Sequence, residues 1–201
     1  EKQQVGEYLG SSGCFDCHEE PSGAAKARGT IKFIELTEAE DWVGEDKHAK
    51  AFSNILDTKL GTDMLDVLNI KQDELAQASQ CTSCHSNPHW VTKKGASEDP
   101  NTKYKESGVT CESCHGGSSL WDTRHRSVEW RLRPPVDPEG ARRDFRHPDA
   151  TKEDFGMTNV RDPEQRASLC FSCHIGDVSK NRIVTHEMYA AGHPPLPSIE
   201  L

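Results

Sequence analysis

Long apolar runs are missing from this sequence. No stretch of the 201-residue chain approaches the about 18 consecutive apolar residues that a membrane-spanning helix needs. Aromatic residues are scarce at 6%, hydrophobic residues reach only 33%, and mean hydropathy is −0.78. A chain this polar lacks the side chains for a 200-residue core of its own. There is no basic excess either. Lys and Arg number 24 against 33 Asp and Glu, a net charge of −9, which argues against nucleic-acid binding. Strand signals are weak throughout, and no βαβ pattern is present. Cysteine and histidine aside, no constellation of catalytic side chains stands out.

What the chain does have is ordered cysteine. All eight Cys fall in four copies of one pattern: Cys14-Phe15-Asp16-Cys17-His18, Cys81-Thr82-Ser83-Cys84-His85, Cys111-Glu112-Ser113-Cys114-His115 and Cys170-Phe171-Ser172-Cys173-His174. C-x-x-C-H is the attachment site of c-type haem, and chance would give about 0.02 copies here, so four are no coincidence. A disulfide framework would not demand a His after every pair. Structural zinc usually completes its set with another C-x-x-C or with spaced His. A thioredoxin-like redox pair needs one motif on a βαβ background. Four covalent haems, roughly one per 50 residues, would supply the apolar material that the side chains do not. The expected architecture is one domain over residues 1–201, mainly α with much irregular chain, wrapped around a stack of four c-type haems.

Helical periodicity is best from Ala39 to Leu75. Trp42, Ala49, Phe52, Ile55 and Leu56 share one face, Met64, Leu65 and Leu68 another, and Gly61-Thr62 is the expected break between two helices. Residues 86–108 read as a long loop, and the four Pro of residues 131–150 forbid a long helix. Short helices are expected from Asp162 to Leu169, with Pro163 in the first turn, and from Ile183 to Ala191, stopped by Gly192 and Pro194. Residues 124–147 hold seven Arg against four acids, either as partners for haem propionates or as an ordinary solvated loop.

Each motif His, at 18, 85, 115 and 174, is the expected proximal iron ligand. Six His remain, at 48, 89, 125, 147, 186 and 193, with three Met at 64, 157 and 188. Methionine ligation would raise a haem's potential. Four further His would give every iron two imidazoles, closing both faces and favouring electron transfer over substrate chemistry. His89 is a poor candidate, because it follows His85 by four residues with Pro88 between.

The stretch from Trp42 to His48-Ala49-Lys50-Ala51, the run from Cys111 to Gly117 with His125 ten residues beyond His115, and the late His after the fourth motif carry a resemblance. They are similar to the tetrahaem cytochrome c family whose type member accepts electrons from hydroxylamine oxidoreductase in nitrifying bacteria. The likeness extends to multihaem nitrite reductases and to tetrahaem subunits of extracellular cytochrome filaments. It implies His125 with His18 on the first haem, His48 with His174 on the fourth, and His186 with His115 on the third. In the type member the second haem lacks a strong sixth ligand. Here His193 follows His186 by seven residues, after Gly192 and before Pro194-Pro195, and departs from that pattern. His193, His147 and an open iron are the alternatives for the second haem.

These readings lead to a non-enzymatic electron conduit with redox-protein partners, either a soluble periplasmic carrier or an extracellular filament subunit. Spare His, able to ligate a haem of the next protomer, lean toward the filament. The rival is a redox enzyme working on a small nitrogen compound at an open second haem; a third option is a domain of a longer multihaem protein. Haem attachment implies export to the periplasm or cell surface, and the sequence opens at Glu1 as a processed export product would.

Overall fold

A computed structural model describes residues 5–10, 12–18, 38–87, 108–125 and 155–196. Within them the chain is built from short helices: α1 (Ser12–His18), α2 (Glu38–Gly44), α3 (Ser53–Asp57), α4 (Lys59–Val67), α5 (Ser79–His85), α6 (Cys111–His115), α7 (Asp122–His125), α8 (Pro163–His174) and α9 (His186–Ala190). Short 3₁₀ segments at Lys47–Lys50, Gln72–Gln77, Ser118–Leu120 and Val178–Lys180 join several of them. There is no strand among the described residues, only an isolated bridge between Asp177 and Arg182. The mainly helical expectation holds there. The Pro-rich stretch 131–150 and most of the expected loop 86–108 lie outside the described residues.

Every haem-attachment motif closes a helix, in α1, α5, α6 and α8. The local reasons differ. Thr110 and Ser113 form a reciprocal capping box on α6. Asp162 caps α8 by accepting from the N–H groups of Glu164 and Gln165, with Pro163 where its missing N–H costs nothing. This helix was expected to stop at Leu169; it runs through the motif to His174. The C-terminal helix, expected over 183–191, is shorter, because Thr185 caps it by accepting from Met188 N–H.

The expected helix break at Gly61-Thr62 is corrected. The chain breaks at Thr58, whose extended backbone ends α3 and whose hydroxyl accepts from Gly61 N–H to start α4. Gly61 serves a close approach instead: a Cβ there would stand 2.2 Å from the Ile55 carbonyl oxygen, so the two helices fold back tightly only on glycine. Residues 39–75 are thus three α-helices and two 3₁₀ segments, and not two helices.

The side-chain core of the described residues is small. Phe52, Leu65 and Leu75 form its centre, with Ile55, Leu56, Ile70, Ala76, Ala78 and Cys81 packed around it. It backs the second motif.

Candidate haem sites

Among the described residues three pairs of imidazoles face each other across the fold. The ring centres of His18 and His125 are 6.4 Å apart, those of His48 and His174 6.0 Å, and those of His85 and His193 6.3 Å. Each pair joins a motif His to one distant in sequence. A first-row metal–imidazole bond is about 2.0 Å long and each ring nitrogen lies about 1.1 Å from its ring centre, so two imidazoles on opposite faces of one metal stand about 6 Å apart. The first pair is nearly parallel at 16°, the other two nearly perpendicular at 72° and 78°.

The Nδ1 atoms of five of these six rings are engaged by protein; that of His174 is buried without a partner among the described residues. His18 Nδ1 meets Glu38 at 2.9 Å and His48 Nδ1 meets Asp46 at 2.8 Å. His85 donates to the Ala51 carbonyl at 3.0 Å, His193 to the Pro194 carbonyl at 2.7 Å, and His125 to the Asp122 carbonyl. A carbonyl only accepts, so Nδ1 carries the proton and Nε2 keeps its lone pair for a metal. Burial pushes the His85 and His125 pKa values down, favouring the neutral, ligating form. The donors come in pairs: among the described residues no group of three or more His, Cys, Asp or Glu is placed to hold a metal ion. Two axial imidazoles per metal, with the other bonds supplied by a cofactor, fit that arrangement.

A cavity of about 680 Å³ joins the first and third motifs. Cys14, His18 and His125 line one side, Cys111, Cys114 and His115 another, and His48 also reaches it. Trp121 borders the same space. The residue is 5% exposed, its ring stands edge-on to His125, and its indole N–H has no acceptor among the described residues. A buried N–H of this kind costs about 1–3 kcal/mol unless something accepts from it, and haem carries carboxylates that would. The residues fit a haem here.

The motifs are packed against one another. The Cys14 thiol hydrogen-bonds to that of Cys111, an interaction that raises its pKa, and Cys84 does the same with Cys173, which brings Cys173 down to about 6. Those values describe thiols, which a thioether bond would consume. Cys114, desolvated and in electrostatic reach of Cys170, is pushed up to about 11. Arg182 bridges the second and fourth motifs, donating to the Ser83 carbonyl at 2.9 Å and to the Ser172 hydroxyl. Glu112, 1% exposed, ties the N-terminal segment to the third motif. It accepts from Leu9 N–H (2.9 Å), Gly10 N–H (2.8 Å), Ser118 N–H (2.9 Å) and the Ser118 hydroxyl (2.6 Å). Sequence reasoning passed over Glu112 and Arg182, since neither spacing nor composition marks a charge destined for burial.

His186 stands exposed at the start of α9, and no ring contact among the described residues joins it to His115. His89 and His147 lie outside the described residues, as does the Cys17 side chain. Of the basic segment 124–147, Arg124 is described; its guanidinium lies 4.4 Å from the Phe155 ring centre.

A family described as cytochrome c554 and c-prime matches residues 13–116, just over half of the chain and three of its four motifs. No curated protein and no solved structure matches.

Proposed function

Since the chain belongs to the cytochrome c554 and c-prime family, and so to the multihaem c-type cytochromes that move electrons, we propose that it is a tetrahaem electron conduit and not an enzyme. Covalently bound haem c follows from the family; the number four rests on the four C-x-x-C-H motifs. When bound, each haem supplies a one-electron iron couple. Cys14 and Cys17, Cys81 and Cys84, Cys111 and Cys114, and Cys170 and Cys173 would anchor the four, with His18, His85, His115 and His174 as proximal ligands.

One observation carries the reading: three motif His each stand about one metal's span from a second imidazole. His125 then closes the first site, His48 the fourth and His193 the second, each oriented by its Nδ1 partner. Iron with both faces taken exchanges electrons and binds no substrate. The motif contacts favour the spatial order first, third, fourth, second: Cys14 lies against Cys111, Cys114 is near Cys170, and Cys173 lies against Cys84. Redox proteins are the partners. Family members are usually exported, and no helix among the described residues is long and apolar enough to cross a membrane.

Low-temperature EPR of the oxidised protein tests this reading. Low-spin signals should dominate, with a pyridine haemochrome count of four per chain. A majority of high-spin haem, or bound zinc in place of haem, overturns it. A second reading, assembly into filaments by iron ligation across a subunit boundary, is favoured by the exposure of His186. Electron microscopy of wild type and His186→Ala decides it: filaments lost in the variant support it, and a monomeric wild type ends it.

A further inference from the structure

Charge is distributed unequally along that order. At the first site, His18 is held by the Glu38 carboxylate. The cavity around it is also lined by Glu45, and the buried Glu112 carboxylate exerts its field on Cys14. Three obligatory backbone donors aim at the Glu112 oxygens, which act there as acceptors, and among the described residues no cation is bonded to them. At the second site both imidazoles are held by neutral carbonyls, of Ala51 and Pro194. Among the described residues a charge is built in near that end, the Arg182 guanidinium, fixed between Ser83 and Ser172 and felt by Cys84 and Cys173. The fourth site lies between these extremes, with His48 on Asp46 but Arg182 at Ser172.

A carboxylate on Nδ1–H makes an imidazole a stronger donor and favours the oxidised metal. A buried negative charge acts in the same direction, and a cation opposes it. Resting on the tetrahaem reading above, we propose that the chain is polarised. Glu38 and Glu112 make the first site the low-potential end, Arg182 with the carbonyl-held His85 and His193 makes the second the high-potential end, and electrons enter at the first and leave at the second. One electron enters and one leaves per event, from a one-electron reducing protein to a one-electron oxidising protein. No proton moves and no bond is made or broken.

An EPR-monitored redox titration of the haem-loaded chain tests this. The nearly parallel ring pair distinguishes the first site's signal from those of the perpendicular pairs, and His193→Ala marks the second. In the wild type the parallel-pair signal should be the last of the three to be reduced and the second site's the first. Glu38→Gln and Glu112→Gln should raise the first site's potential, each by about a tenfold change in its equilibrium, which is about 59 mV for one electron. Arg182→Gln should lower the second site's by a similar factor, while Arg182→Lys keeps the charge and stays near wild type. A purely structural role would shift both Arg182 variants alike, and that result overturns the proposal. So does a parallel-pair signal reduced first. Fewer than four haems in the same samples would fail the tetrahaem reading instead.

Discussion

A single imidazole decides whether the second site is closed. His193 sits just after Gly192, whose φ of +108° turns the chain, and its Nδ1 is fixed by the next residue's carbonyl. Tyr189 stands at right angles to it, 6.1 Å between ring centres. On the proposed ligation, His193→Ala removes a ligand without touching the Phe52 core, so one haem of the purified protein should become high-spin while the expected haem count stays at four. An unchanged low-spin spectrum would show that another residue, with His147 the first candidate, caps that iron. Glu112 makes the opposite kind of contribution. Glu112→Ala strands three backbone N–H groups and a hydroxyl in a buried place, at about 1–3 kcal/mol for each group that water cannot reach. Destabilisation of about 3–5 kcal/mol is expected in urea unfolding, and a change under about 1 kcal/mol would mean that water replaces the carboxylate freely.

At the scale of elements, the loop that follows α8 shows how a short segment is shaped by one side chain. Asp177 accepts from Ser179 N–H, the Ser179 hydroxyl and Lys180, while its backbone pairs with Arg182. The Ser179 hydroxyl and the Lys180 ammonium lower its pKa from 3.8 to about 2. A carboxyl held below its unfolded value stabilises the fold above that value and loses the contribution as pH falls through the folded one. Amide exchange in residues 177–182 should therefore quicken as pH is lowered from 4 toward 2, beyond the intrinsic rate change. Asp177→Asn should abolish that extra dependence; if it persists, another carboxyl governs the loop. Nothing in the sequence announced this loop. The motifs were legible because C-x-x-C-H is dictated by covalent chemistry, and Asp162-Pro163 because cap and proline act locally. The break at Thr58 was not, because Gly61 reads as a helix breaker until the Ile55 backbone is seen against it. His186 was assigned by resemblance alone, and no ring contact among the described residues brings it to His115.

For the whole molecule, the question is what replaces a conventional core. Among the described residues three fully buried hydrophobics, Phe52, Leu65 and Leu75, back one motif of four, whereas a cavity of about 680 Å³ lies between two others. Packing density in folded interiors leaves almost no room for empty space, so on the proposed reading that volume is where haem would stand as core material. The consequence is cooperative, since the first and third motifs share the cavity and touch through Cys14 and Cys111. Replacing both Cys111 and Cys114 with Ala should remove one haem, lower the melting temperature, and disturb the parallel-ring EPR signal of the first site, whose wall has gone. Replacing Cys81 and Cys84 should remove one haem as well but leave that signal unchanged, because the second motif borders the fourth and the Phe52 cluster. A chain lacking all eight Cys should show no cooperative urea transition, having a core too small to offset chain entropy. If the Cys111/Cys114 variant keeps the first site's spectrum intact, the two sites are energetically separate, and the shared cavity is not what holds that half of the molecule together.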